Sequence, residues 1–235
     1  MNIILIEEGE RFFSFADERA QHIKKVLRLG AGDSFRCGTV NSKEGSALIT
    51  EMGDDGISFT FTPEKDTSTL YPVTLIVGQT RPICMRRILR ESVSLGAERI
   101  ILPVTDLGEK SYSSASLYTS GEYMKILLDG AMQAGKTGVS TCVTASSLEE
   151  ALLAVVPSEL LLLDNVIGEE SLSSLDLRGK SVTLAIGPER GWSARERKVL
   201  VEKGFRPVLL GTRILRTETA VSASLAVALS RMGLL

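Results

Sequence analysis

The feature that most constrains the fold of this chain is a change of sequence pattern near residue 70. Residues 34–61 contain short β-rich runs cut by Asn-Ser, Gly and Asp-Asp-Gly, a pattern typical of an antiparallel sheet or small barrel. After Pro72 the chain alternates strand-like and helix-like runs, which indicates an α/β domain with a mostly parallel sheet. Residues 62–72, TPEKDTSTLYP, have the composition of a linker. We therefore predict a small β-rich domain over residues 1–70 and an α/β domain over residues 71–235.

Composition and the scarcity of His and Cys exclude several classes of protein. Hydrophobic residues make up 43% and charged residues 24% of the chain, values that argue against a disordered or fibrous protein. No apolar run reaches the length of a membrane span, and the N-terminal MNIILIEEGERFF becomes acidic too early for a signal peptide. We therefore expect a cytoplasmic protein without membrane contacts. The widely spaced Cys37, Cys84 and Cys142 and the single His22 argue against a disulfide framework, a metal site and a His-activated nucleophile.

Residues 130–137 match the G-x-x-x-x-G-K-T pattern of a phosphate-binding P-loop, and LLLLD at 160–164 resembles a strand whose terminal acid holds magnesium in nucleotide hydrolases. A P-loop needs a strand before its glycines and a helix after its Lys-Thr. Here apolar residues recur at helical spacing from Met124 to Ala134, which places Gly130 inside a helix and Gly135 at its end. The following TGVSTCVTA is strand-like. We interpret the match as a coincidence and rank a nucleotide hydrolase last among the alternatives.

Two later stretches are better candidates for a functional site. AIGPERGWSARE at 185–196 leads from a buried strand into a helix that Ser193 and Glu196 are predicted to cap. LLGTRILRTETAVSASLAVAL at 209–229 repeats this design, with Arg213 and Arg216 in its loop. Because ligands bind at the carboxyl ends of the strands in open α/β sheets, the two loops are predicted to form one pocket. The alternative is that both are ordinary strand-to-helix turns.

The same two stretches carry a family resemblance. IGPERG followed by LGTRILRTETA resembles the motifs of the bacterial 16S ribosomal RNA uracil-N3 methyltransferases, members of the SPOUT superfamily. The resemblance extends over nearly the whole chain, through HIKKVLR at 22–28, GD at 32–33, GQTR at 78–81, ESVSLGAERIILP at 91–103 and Gln133. It implies a PUA-like N-terminal β-barrel that binds RNA, a C-terminal SPOUT α/β trefoil-knot domain that binds S-adenosylmethionine (SAM), and a homodimer. It also implies methyl transfer to N3 of one uridine of 16S ribosomal RNA, within the assembled 30S subunit.

The resemblance also implies which residues form the site. Arg216 is the candidate donor to the uracil oxygens, where negative charge develops as N3 loses its proton. Glu218 is the candidate base, with Glu189 as an alternative, although Glu218 also suits the first turn of a helix. The cofactor is expected against Ile186, Gly187, Pro188, Gly191, Leu209, Leu210, Gly211, Ile214, Leu215, Thr217, Thr219 and Ala220.

Two clusters of basic residues gain a role from the resemblance. RNA contacts are expected from His22, Lys24, Lys25, Arg28, Arg81 and Arg86, which would grip phosphates in a salt-sensitive, sequence-independent way. For each cluster the alternative is a solvated helix face. His22 has packing between the domains as its other role, and Trp192 either stacks on a base, covers the cofactor or packs in the core.

The chain departs from the family pattern at three places. Arg190 stands where the family has a second Gly, and there it would either strain a backbone of positive φ or add an RNA contact. Lys110 replaces a common Arg, and Met132-Gln133-Ala134 replaces acid-Gln-Ser. Two further alternatives therefore stay open, namely a noncatalytic knot-fold RNA-binding protein and a related SPOUT methyltransferase that acts on another RNA position or on transfer RNA.

Overall fold

The computed structural model describes all 235 residues and divides into two compact units. The first comprises Met1–Thr69 and Ala131–Val139, and the second comprises Leu70–Gly130 and Ser140–Leu235. The sequence pattern predicts that residues 131–139 belong to the second domain. They group with the first unit because their backbone pairs with it. The Asn2 amide donates to the Met132 carbonyl at 3.0 Å, and the Asn41 amide donates to the Thr137 carbonyl at 2.8 Å.

Strands and helices alternate along most of the second unit, whereas strands dominate the first. None of the helices has the length and apolar character needed to cross a membrane. The strands are β1 Ile4–Ile6, β2 Phe12–Ser14, β3 Ser34–Thr39, β4 Lys43–Met52, β5 Gly56–Asp66, β6 Tyr71–Val77, β7 Ala97–Pro103, β8 Thr141–Ala145, β9 Glu159–Leu163, β10 Glu170–Ser171, β11 Val182–Ile186 and β12 Arg206–Leu209. The α-helices are α1 Glu18–Gln21, α2 Pro82–Ser94, α3 Ser116–Thr119, α4 Glu122–Ala134, α5 Leu148–Leu153, α6 Ala194–Glu202 and α7 Thr217–Met232, with a π-helix at His22–Leu27 and 3₁₀ turns at Lys110–Ser114 and Leu172–Ser174.

The first unit is a five-stranded sheet that curls around an aromatic core. Its strand order is β1-β3-β4-β5-β2, in which β1 and β3 are parallel and the other neighbours are antiparallel. The Phe13 and Phe59 rings lie 4.6 Å apart, and Phe35 meets Phe59 edge-on at 5.7 Å. Such tilted and edge-on ring pairs add to the stabilisation that comes from burial. The predicted β-rich, mainly antiparallel unit is confirmed.

The second unit is built on seven parallel strands in the order β10-β12-β9-β11-β6-β7-β8. Every residue of β11 is buried, as is usual for a central strand of a parallel sheet. Since all seven strands run the same way, their carboxyl ends lie along one side of the sheet, which we call the carboxyl edge. The predicted parallel α/β sheet is confirmed.

The P-loop match lies on a helix. Gly130 is inside α4, where a Cβ would conflict with Val93 and lie 2.8 Å from the Arg90 carbonyl oxygen of α2. Glycine therefore lets the two helices approach closely. Gly135 has a φ of +70° directly after α4 ends, and the next regular element is the strand β8. Neither the strand before nor the helix after a P-loop is present, which confirms the interpretation of the match as a coincidence.

Helix α6 begins at the predicted capping box. The Glu196 amide donates to the Ser193 hydroxyl at 3.1 Å, and the Ser193 amide donates to Glu196 Oε2 at 2.8 Å. The other carboxylate oxygen, Oε1, accepts the Asp106 amide at 2.9 Å. Glu196 is fully buried, so all of its hydrogen-bonding capacity is used inside the protein. It fixes the start of α6 against the loop that follows β7.

Candidate active site

A cavity of about 320 Å³ opens at the carboxyl edge of the second unit, where β9, β11 and β12 end. These three strands are neighbours in the sheet, so the loops that follow them meet directly. We call residues 186–192 and 209–217 the cavity loops. The cavity is lined by Leu163, Asp164, Asn165, Val166, Ile186, Gly187, Pro188, Glu189, Arg190, Gly191, Trp192, Arg197, Leu209, Leu210, Gly211, Arg213, Ile214, Leu215, Thr217 and Ala220.

Two glycines make the first cavity loop compact. A Cβ on Gly187 would lie 2.9 Å from the Cα of Gly191 and 3.0 Å from the Trp192 amide nitrogen, closer than real Cβ atoms approach. Gly191 has a φ of +71°, which side-chain-bearing residues rarely adopt, and its amide donates to the Pro188 carbonyl at 2.9 Å. The loop therefore turns within four residues and presents main-chain atoms to the cavity.

Arg190 fits this turn without strain. The left-handed conformation falls on Gly191, and the only non-glycine residues with positive φ in the chain are Arg28 and Asn41. The Arg190 side chain is exposed and lines the cavity. Of the two roles considered for this departure from the family motif, backbone strain is therefore absent, and an RNA contact stays a prediction.

The two candidate catalytic residues lie at the end of the second cavity loop and just after it. Residues 211–216 are all exposed, and the chain becomes buried at Thr217, where α7 begins. Arg216 immediately precedes α7, and Glu218 is half-buried in its first turn. Burial, together with the negative charge of Glu218, raises the pKa of the Cys84 thiol near the start of α2. Arg216 and Glu218 adjoin the cavity through their neighbours Leu215 and Thr217 but do not line it.

Besides the two cavity loops, an ion pair between Asp164 and Arg197 lines the cavity. Asp164 follows β9, and only 2% of its side chain is exposed. Its Oδ2 accepts from Nε of Arg197 at 2.8 Å, while Oδ1 accepts the amides of Val166 at 2.7 Å and Ile167 at 3.1 Å. The acid that ends LLLLD thus shapes a loop and orients an arginine.

The first cavity loop is also joined to the start of α2. The Arg81 amide donates to Glu189 Oε1 at 3.0 Å, which places a carboxylate at the N-terminus of α2. A Cβ on Gly78 would lie 2.6 Å from Cδ of Pro188, so the segment after β6 packs closely against this loop. Glu189 therefore has a structural partner, which weakens the case for it as the catalytic base.

Arg81 and Arg86, the two basic residues of the second unit that are predicted to contact RNA, differ in how firmly other side chains hold them. Arg81 is exposed. Arg86 is held by Glu122 in a two-bond ion pair, Nε to Oε1 at 2.6 Å and Nη2 to Oε2 at 2.9 Å. Such an arrangement occupies the guanidinium fork that would otherwise bind phosphate. The geometry favours Arg81 over Arg86 as a contact for RNA.

The basic cluster of the first unit lies on an unusual helix. The segment that carries it is split into α1 and the π-helix, which Arg28 ends with a left-handed φ of 58°. Lys24 Nζ lies 4.1 Å above the Phe15 ring, while Lys25 and Arg28 are exposed. Partial burial, followed by the charge of the N-terminal amine, lowers the pKa of His22. Both effects favour the uncharged form of the imidazole.

The structure brings together most of the residues expected to hold the cofactor. All of them line the cavity except Thr219, which is exposed on α7. The sequence analysis assigned no site role to residues 163–166 or to Arg197. The available signal was LLLLD, because a polar residue after a buried strand marks the carboxyl edge. Trp192 is 1% exposed and belongs to the hydrophobic core, which favours its packing role over stacking on a base.

Comparison with known proteins places the chain in a family. Residues 67–229 match the model of an RNA methyltransferase domain, and residues 15–62 match an RNA methyltransferase PUA domain. The ribosomal RNA small subunit methyltransferase E of Treponema pallidum (strain Nichols) is 38% identical over 98% of this chain and 91% of its own length. Ribosomal RNA small subunit methyltransferase E 1 of Borreliella burgdorferi is 29% identical over 99% of both chains.

Solved structures share the fold. A ribosomal RNA small subunit methyltransferase E from Neisseria gonorrhoeae, bound to S-adenosyl methionine, superposes with a TM-score of 0.78 at 24% identity over 98% of this chain and 97% of that one. A Legionella pneumophila structure with bound SAM gives a TM-score of 0.82 at 21% identity, with the same coverage. From the match to the family models and the identity to its relatives, the chain belongs to the RNA methyltransferase family that includes the ribosomal RNA small subunit methyltransferase E proteins.

Proposed function

We propose that the protein transfers a methyl group from SAM to N3 of a uridine in 16S ribosomal RNA. The observation that carries this proposal is that IGPERG at 186–191 and LGTRILRTETA at 210–220 meet around one cavity at the carboxyl edge. Family membership supports RNA methylation, and the names of the relatives support the small-subunit RNA as substrate. The resemblance of these two motifs supports N3 of uridine as the acceptor.

The residues of the cavity fit the cofactor. Its volume of about 320 Å³ lies within the range of small-molecule sites, roughly 300–1,000 Å³. Ile186, Leu209, Ile214 and Leu215 supply apolar surface, and the main chain at 186–191 and 209–211 supplies donors and acceptors. Gly187 lets that main chain approach a ligand without a side chain between them. When bound there, SAM supplies an electrophilic methyl group.

Arg216 and Glu218 are the proposed catalytic residues. Uridine N3 carries a proton that must leave before its lone pair can accept a methyl group. Glu218, half-buried beside the cavity, is the proposed acceptor of this proton, and Arg216 is the proposed donor to a uracil oxygen, where the resulting negative charge collects. Arg216 ends the second cavity loop and Glu218 lies in the first turn of α7, so both proposed catalytic side chains are joined to the cavity within a few residues of chain.

The basic clusters are the proposed RNA contacts. Arg81 lies in the second unit and Lys25 and Arg28 lie in the first, and all three side chains are exposed. Contacts of this kind to phosphates position RNA without reading its sequence, and they weaken as salt rises. We expect the assembled 30S subunit to be the substrate, since it would offer phosphates to both units.

A homodimer is supported by apolar surface at the carboxyl edge. Ile83 on the first turn of α2 is 62% exposed and Ile214 in the second cavity loop is 86% exposed. Both lie where the chain leaves a parallel strand of the same sheet, at its carboxyl edge. Burying these apolar side chains against a second copy would remove them from water, which favours association. A second copy of the chain is the proposed partner for this surface.

The test begins with calorimetric titration of the purified protein with SAM and, separately, with magnesium ATP. We expect SAM alone to bind. The protein is then incubated with SAM and 30S subunits that lack the modification, and the nucleosides of the 16S RNA are analysed by mass spectrometry for 3-methyluridine. Methylation of another base or of transfer RNA would assign a different substrate, SAM binding without methylation would indicate a noncatalytic RNA-binding protein, and ATP binding would restore the hydrolase alternative.

A further inference from the structure

Arg197 is a charged side chain with unused donors on the wall of the cavity. A guanidinium has five N–H donors, and Arg197 uses one of them, Nε, to bind Asp164. The side chain is only 19% exposed, yet its Nη groups take part in no further hydrogen bond in the structure. Nη2 lies 3.7 Å from the position that a Cβ on Gly191 would occupy, so the fork faces the first cavity loop. The Nη groups are not among the fully buried polar atoms, so they reach the solvent of the cavity, where a ligand acceptor can take the place of water.

We propose that Arg197 is a specificity residue that donates hydrogen bonds to the ribose hydroxyls of the cofactor. The inference rests on the proposed function, because it takes SAM as the ligand of the cavity. Two vicinal hydroxyl oxygens match the spacing of the paired Nη donors, as the two oxygens of a carboxylate do. The hydroxyls of ribose are therefore suitable acceptors for this fork.

The low net charge of the Asp164–Arg197 pair indicates that Arg197 binds the ribose of the cofactor rather than its carboxylate. Asp164 is almost completely buried and neutralises Arg197 at 2.8 Å, so the pair presents donors with little net charge. A neutral hydroxyl suits such a donor better than an anion does. Arg190 and Arg213 also line the cavity, and both are exposed and appear in no ion pair of the structure. These two arginines are better placed to attract an anionic group.

Asp164 acts as the positioning residue for Arg197. Its second oxygen is fixed by the amides of Val166 and Ile167, so the carboxylate has one orientation, and the Nε bond transmits that orientation to the guanidinium plane. A donor whose geometry is set before the ligand arrives loses less entropy on binding. The Asp164–Arg197 pair is thus a preformed hydrogen-bonding platform on one wall of the cavity.

The experiment compares three ligands by calorimetric titration. S-adenosylhomocysteine has both ribose and amino acid, 5′-methylthioadenosine keeps the ribose hydroxyls without the amino acid, and its 2′,3′-dideoxy form has neither. Arg197→Met removes the donors and roughly keeps the side-chain volume. We expect it to weaken binding of the first two ligands by the same factor, about tenfold, and to leave binding of the dideoxy ligand unchanged.

Control variants separate this role from a structural one. Lys198→Met, the next residue on α6, changes an exposed side chain whose partner Glu202 lies at 3.8 Å, and should bind every ligand as the wild type does. Arg197→Lys keeps a cation for Asp164 without the fork, and should lose affinity while its urea midpoint stays close to that of the wild type.

Each contrary outcome has a distinct meaning. A loss confined to S-adenosylhomocysteine would show that Arg197 binds the carboxylate, and an equal loss for the dideoxy ligand would show a purely structural role. Unchanged binding by Arg197→Lys and Arg197→Met would remove the role altogether. If the wild-type protein binds none of the three ligands, the proposed function itself fails, and this result cannot be confused with the others.

Discussion

The segment 130–137 and the cavity loops both combine closely spaced glycines with a basic residue and Thr, yet the glycines serve different purposes. Gly130 lets two helices pack together and Gly135 ends one of them, whereas Gly187 and Gly191 fold a loop against a cavity. The difference lies in the preceding element, which is a helix in the first case and a strand ending at the carboxyl edge in the second. A glycine-rich pattern therefore predicts a binding site only together with the strand before it.

The largest effect should come from Arg216→Ala in the second cavity loop. Removing the proposed donor to the uracil oxygen should lower the rate of methyl transfer about 100- to 1,000-fold, the usual cost of losing one such donor, while SAM affinity stays nearly unchanged. Single-turnover kinetics with 30S subunits and calorimetry with SAM measure the two quantities. Arg178→Ala, an exposed arginine paired with Asp176, is the matched control. A fully active Arg216→Ala protein would contradict the assigned role.

Gly130→Val tests whether the glycine inside α4 serves helix packing. The new side chain would collide with Val93 and the Arg90 carbonyl, so α4 and α2 must separate. Overpacking of this kind should reduce the free energy of unfolding by about 2–3 kcal/mol, measured by urea denaturation. Gly30→Ala, whose Cβ would have its nearest neighbour at 4.0 Å, should have little effect. Unchanged stability of Gly130→Val would mean that this glycine is not needed for helix packing.

Local pattern was enough to predict the features that depend on neighbouring residues. The capping box of Ser193 and Glu196 sets the start of α6 through bonds across three residues, and apolar runs such as 182–186 are long enough to mark buried strands. The cavity loops followed from the same reasoning, because each joins a buried strand to a helix. The family resemblance then indicated the ligand, which the pattern alone did not.

Features that depend on distant partners could not be predicted in this way. Asp164 and Arg197 are 33 residues apart and meet only because β9 and β11 are neighbours in the sheet. Arg86 looked free for RNA because Glu122, its partner, is 36 residues away. Residues 131–139 join the first unit through Asn2 and Asn41, which lie roughly 100 to 130 residues earlier. In each case the deciding contact is tertiary.

Gly187→Ala sharpens the comparison with Gly130→Val, because both add a side chain to a crowded glycine. At Gly187 the clash is with the backbone of Gly191 and Trp192, so the first cavity loop must open rather than two helices separate. We expect SAM affinity to fall about tenfold, equivalent to about 1.4 kcal/mol, with a smaller loss of stability than Gly130→Val shows. Calorimetry and urea denaturation of both variants give the comparison. Equal ligand affinity in the two variants would contradict a ligand role for this loop.

The smallest effect is expected from Lys136→Ala, although a P-loop would make this lysine indispensable. Lys136 is exposed and follows the left-handed Gly135 at the end of α4, so no phosphate can be cradled by a helix that starts there. Substitution of an exposed residue of this kind usually changes stability by less than about 0.5 kcal/mol. SAM affinity and methyl transfer by Lys136→Ala should therefore equal those of the wild type. Loss of SAM binding in this variant would place the cofactor at residues 130–137 and reverse the roles that the structure gives the two glycine-bearing regions.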